Sequence, residues 1–221
     1  MNALSPRTSA LIAGTAYLAM TVTAISTLFD SEIVSALLES GSEAPAWPTD
    51  ISSGILLQLI GLAAVAVLDV VVAWALYCLF QPKAPGIALW MAIARIVYVV
   101  VFAWAQTRIA AAWAITRADA LDEGSIDAVL AALQDFQRSW DLAFFAFSVH
   151  LVLLGMLIWS ESVLRKTIAA LLVIAGVGYF IDSVIAFTMP DVTLRLGVYT
   201  FIGEMVLMIW LLTVAGRRET R

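Results

Sequence analysis

Asp69, Arg95, His150 and Glu204 are side chains able to do chemistry, and each interrupts a long apolar run. Insertion scales assign a cost of about 2.5–3.5 kcal/mol to Asp, Lys or Arg at the centre of a membrane helix. Such groups must turn away from lipid and find partners. Helical spacing says which faces they mark. Gln58 and Asp69 are eleven residues apart, three turns, and share a face. Arg95, Tyr98, Phe102 and Gln106 form one stripe, Tyr179 and Asp182 are i, i+3 neighbours, and Thr200 and Glu204 are i, i+4 neighbours. Asp141 and His150 are nine apart, half a turn out of phase, so they belong to different surroundings. Two clusters follow. The midplane cluster holds Asp69, Arg95, Tyr98, His150 and Glu204, and the outer one holds Arg108, Asp141, Tyr179 and Asp182.

Several chemistries fit these residue types. Arg95 can compensate a buried carboxylate, Asp69 or Glu204, through a forked pair. A cavity at that depth would suit a small polar or amphipathic ligand, or a proton relay. Acid–base catalysis on a lipid or isoprenoid would use a carboxylic acid with His150 as proton shuttle, since an imidazole titrates near pH ~6.5. Asp69, His150 and Glu204 are also metal-ligand types, but Arg95 beside them would repel a cation, and His150 is the single histidine. The only lysines, Lys83 and Lys166, lie between apolar runs, which excludes a retinal Schiff base at depth. Cys78 is alone, which excludes an internal disulfide and any multi-cysteine metal site; it reads as a small core hydrophobe. No cofactor and no metal is assigned. A structural or regulatory membrane subunit, in which the polar residues only fix helix register, is the remaining alternative.

The elements that position these groups are membrane helices. The chain of 221 residues is 62% hydrophobic and 13% charged, against about 25% charged in soluble domains. The apolar runs 9–29, 52–80, 86–114, 139–159, 167–188 and 195–215 are each long enough to cross a bilayer. They lack strand alternation, and an open sheet edge cannot lie in lipid. The fold class is therefore all-α, a six-helix polytopic bundle forming one transmembrane domain over 1–221. The stretch Ser125 to Gln137 reads as a short amphipathic surface helix ahead of the fourth span. The first run is read as an uncleaved span. Arg7, Lys83, Arg165, Lys166, Arg217, Arg218 and Arg221 fall on one side, and Arg117, Arg138 and Arg195 on the other. The excess marks the cytoplasmic side, which places both termini inside. Trp47, Trp113 and Trp140 read as outer interfacial anchors, Trp90 and Trp159 as inner ones. The bilayer is the expected partner. The absence of a basic patch argues against nucleic acid, and nothing indicates an oligomeric state.

A weak internal repeat is also present. Ile12-Ala13-Gly14-Thr15-Ala16-Tyr17 matches Ile174-Ala175-Gly176-Val177-Gly178-Tyr179, and the run from Asp69 to Trp74 resembles that from Glu204 to Trp210. Spans one and two would then relate to spans five and six in parallel.

These residues carry a resemblance. Arg7 with Ile12-Ala13-Gly14 and Tyr17-Leu18, Leu68-Asp69-Val70 with the Gln81-Pro82 turn, Arg95, Asp141 with His150-Leu151 and Leu154-Gly155, Gly178 to Ser183, and Gly203-Glu204 stand in an order and spacing similar to those of a bacterial multi-pass membrane family, domain of unknown function 4386. The resemblance covers almost the whole chain. It implies a protein of the bacterial cytoplasmic (inner) membrane and supplies neither substrate nor catalytic residue.

Overall fold

The structure, a computed structural model, describes residues 4–30, 51–117, 123–189, 192 and 196–215. The acidic first loop with Trp47, the residues Asp119, Asp122 and Arg195, and the basic tail from Arg217 lie outside these described residues. The described chain is helical: α1 (Pro6–Asp30), α2 (Ile51–Phe80), α3 (Pro85–Ile115), α4 (Glu123–Ile158), α5 (Val163–Thr188), α6 (Gly197–Thr200) and α7 (Ile202–Thr213). Five of these helices, α1 to α5, are long and apolar enough to cross a membrane, and α7 is a shorter apolar helix. The protein is an all-α polytopic membrane protein.

Consecutive helices pack side by side, and α7 packs on both α5 and α1. The elements thus close into a ring in chain order. At the end bearing Arg7 and Lys83, basic side chains cap the helices that terminate there. Arg7 Nη1 donates to the carbonyls of Leu211 and Ala215 at 3.1 and 2.9 Å, and its Nη2 donates to that of Leu212. Lys83 Nζ donates to Leu157 O at 3.0 Å and to Trp159 O at 3.4 Å. Both cations satisfy carbonyls that a helix C-terminus leaves unpaired and meet the negative end of its dipole. This basic half is filled by the fully buried Leu76, Met91, Leu154, Leu172 and Leu207.

The fourth span departs from the sequence-based reading. The surface helix expected over Ser125 to Gln137 and the span expected over 139–159 are one helix of 36 residues, Glu123–Ile158. At a rise of ~1.5 Å per residue it is about 54 Å long, well beyond a hydrocarbon core of ~30 Å. No proline or glycine separates Gln137 from Trp140 to break the ladder. The extension also has an apolar stripe of its own: Val129, Leu130, Leu133 and Phe136 are buried, while Asp127, Asp135 and Arg138 are exposed. The sixth span is corrected too. It is not continuous over 195–215 but resets at Phe201, where the Glu204 N–H bonds back to the Phe201 carbonyl at 3.0 Å, an i to i−3 contact. Cys78 is half-buried on α2 rather than in the core.

Candidate functional site

The acidic half of the ring holds a partly open cavity of about 510 Å³. Its floor is built on Arg95 from α3, which has no solvent exposure. Arg95 Nε donates to Asp69 Oδ1 on α2 at 2.8 Å, and Nη2 donates to the same oxygen. Nη1 donates to the Tyr17 hydroxyl of α1 and to His150 Nε2 of α4, the latter at 3.0 Å. The guanidinium is also held between rings, with Cζ 4.8 Å from the Tyr17 centroid and 5.5 Å from that of Phe147. One cation thereby ties four helices together. The pairing of Arg95 with Asp69 is one of the two that the sequence allowed.

His150 sits beneath this floor and is absent from the cavity wall. Its Nδ1 lies 2.9 Å from the Met91 carbonyl, which can only accept, and its Nε2 faces a guanidinium, which can only donate. The ring is therefore the neutral tautomer protonated on Nδ1, with no nitrogen left over. The proton-shuttle role considered from the sequence needs a nitrogen that can exchange a proton with substrate, and this geometry provides none.

The walls are aromatic. Tyr98 lies 4.9 Å from Phe147 between centroids, Phe144 stacks on Tyr179 at 4.9 Å, and Trp140 packs on Phe144 at 5.5 Å. Trp140 Nε1 donates to the Tyr98 hydroxyl at 3.4 Å. Trp140 was expected as an interfacial anchor, but the continuity of α4 turns it inward. Trp90 and Trp159, at 64% and 55% exposure, do present their rings outward at the basic end.

Glu204 reaches the cavity from α7 but does not join Arg95 directly. Its Oε1 accepts from the Tyr179 hydroxyl at 2.8 Å. The sequence placed these two residues in different clusters, and the break before α7 brings them together. Tyr17 with Asp69 and Tyr179 with Glu204 stand at matching places in the two pairs of similar sequence stretches, and all four line the cavity. In the first pair Arg95 stands between tyrosine and acid, and in the second the tyrosine bonds the acid directly.

Among the described residues no ion pair joins the members of the outer cluster. Asp182 is used structurally: its two oxygens accept from the Leu196 and Gly197 N–H groups at 2.7 and 2.6 Å and anchor the entry of α6. Asp141 Oδ1 accepts from Gln137 at 3.2 Å, and its backbone carbonyl accepts from Ser183. Arg108 lies over the Trp104 ring at 5.2 Å, and no ion pair joins it to Asp141 or Asp182 among the described residues. Three residues of that set came from the same outer level of the sequence, but depth alone does not fix the rotation of each helix. Among the described residues no group of three or more His, Cys, Asp or Glu gathers to hold a metal.

Comparison with known proteins follows the same lines. The family model described as "Domain of unknown function (DUF4386)" matches residues 12–215. The chain belongs to this family. An "Uncharacterized protein" from Archaeoglobus fulgidus (strain ATCC 49558 / DSM 4304 / JCM 9628 / NBRC 100126 / VC-16) is 32% identical over 161 residues, 73% of this chain and 85% of that protein. No solved structure matches the chain. The stretch matched by the DUF4386 model contains Tyr17, Asp69, Arg95, His150 and Glu204, so the floor and the Glu204 wall both fall within the family domain. Tyr17, Trp140, Phe144 and Phe147 are among the cavity residues that the sequence placed in neither cluster. The signal available for Tyr17 was its place in the repeat opposite Tyr179.

Proposed function

We propose that this protein is a membrane-embedded binding or transport-like protein whose cavity takes a small amphipathic ligand. The observation that carries the reading is one atom. Asp69 belongs to the cavity lining, and its Oδ2 is buried with no hydrogen-bond partner, because both bonds from Arg95 go to Oδ1. An unsatisfied carboxylate oxygen in a low-dielectric site costs more than the hydrogen bond it lacks, and a ligand polar group supplies the missing partner. Glu204 adds a second carboxylate, with one oxygen bonded to Tyr179. The methionines Met20, Met205 and Met208 and the aromatic wall form the apolar remainder of a site that matches ligand cavities in size and character. Proton relay and acid–base catalysis have less support, because His150 has both nitrogens engaged.

The basic end of the bundle, with Arg7 and Lys83, is assigned to the cytoplasm, so the cavity lies in the outer half of the cytoplasmic membrane. Met205→Trp, which places a large ring in the cavity, tests the reading. Native mass spectrometry of protein extracted into lipid nanodiscs should find a small molecule on the wild type that the variant has lost while keeping its helicity. A wild type that carries nothing, together with a variant whose Tm rises as filling a void would make it rise, contradicts the reading.

A further inference from the structure

We propose that the ligand is an organic cation, an amine or ammonium attached to an apolar body. The inference rests on the binding reading above and concerns the chemistry of the ligand's head. Among the described residues, three carboxylates and one guanidinium line the cavity. The guanidinium is already committed to Asp69, Tyr17 and His150. Asp182 is committed to two backbone N–H groups. What remains for a ligand is acceptor capacity: the buried Asp69 Oδ2 and the second oxygen of Glu204, which has no partner among the described residues. An anionic head would meet two carboxylates and no free cation. A hydroxyl has a single donor and would satisfy one acceptor only. An ammonium satisfies the acceptors and supplies the counter-charge.

The rings point the same way. Trp140, Phe144 and Tyr179 line the cavity, with Tyr179 bonded to Glu204, and aromatic rings attract cations. The floor already uses this chemistry once, since Arg95 is held between the rings of Tyr17 and Phe147.

The test compares three probes of equal chain length, octylammonium, octanol and octanoate, on the full chain in nanodiscs of neutral lipid, reading the concentration at which each raises Tm. Octylammonium is expected to act at a concentration about tenfold or more below octanol, with octanoate inactive, and Glu204→Gln should erase the preference for the amine. If Glu204→Gln does not fold, the order of the three probes on the wild type decides alone. Octanol acting as well as octylammonium, with both blocked by Met205→Trp, overturns the cation assignment and leaves the binding reading standing. Probes that shift Tm equally in wild type and Met205→Trp act through the lipid, and that result overturns both.

Discussion

Arg95 donates four hydrogen bonds from a position without solvent exposure, and they serve three roles. Two neutralise it on Asp69, one fixes the Tyr17 hydroxyl at the cavity edge, and one locks the His150 tautomer. Removing a partner of such a buried pair leaves a stranded charge, at about 3–5 kcal/mol. Asp69→Asn should therefore lower Tm in detergent more than any other single change in the site. His150→Asn, too short to span Met91 and Arg95, should cost about 1–3 kcal/mol by leaving a buried donor unmet. Glu204→Gln should cost least, because a glutamine oxygen still accepts from Tyr179. Thermal melts of the three variants check the order, and a Glu204→Gln protein less stable than Asp69→Asn contradicts the division between floor and wall. The charged members were legible in the sequence because lipid rejects them. Tyr17, Phe144 and Phe147 were not, because an aromatic residue in a membrane helix is equally at home against lipid, core or cavity.

Helix limits were legible wherever a breaker marks them. Pro85 opens α3 within one residue of the expected start. They were less legible where tertiary contacts decide. The fusion of the amphipathic stretch with the fourth span depends on the apolar stripe of Val129, Leu133 and Phe136 finding a neighbour. The interruption of the sixth span depends on Asp182, fourteen residues upstream of Leu196, catching the incoming backbone. Gly197 is required at that entry: a Cβ there would lie 2.6 Å from the Tyr179 ring and 3.2 Å from an Asp182 oxygen. Gly197→Ala should accordingly displace Tyr179, weaken its bond to Glu204 and lower Tm, whereas Gly86→Ala, where a Cβ meets nothing within 4 Å, should be neutral or stabilising. Equal melts for the two alanine variants would count against the anchoring of α6. Arg7→Gln is expected to destabilise as well, since three carbonyls at the end of the last helix lose their donor.

On the scale of the whole molecule, the fold is a ring of helices in chain order, packed solid at the basic end and hollow at the other. Hydropathy made the membrane class and the helix number readable, because each run must satisfy its own backbone within lipid. The hollow was not readable. Both halves are lined by apolar and aromatic residues, and only the three-dimensional fit shows which half fails to close. Reporter fusions should place residue 83 and the C-terminus in the cytoplasm and residue 125 outside; a cytoplasmic signal at residue 125 contradicts the orientation. The central claim is that the hollow is an occupied site. It is tested most directly by an experimental map of the protein in native lipid, at a resolution that shows side chains. The account predicts non-protein density within hydrogen-bonding distance of Asp69 Oδ2 and Glu204, lying against Trp140 and Tyr179. Trp140 and Phe144 rotated inward to fill the space, with Asp69 Oδ2 bonded to a donor of the protein itself, would contradict it.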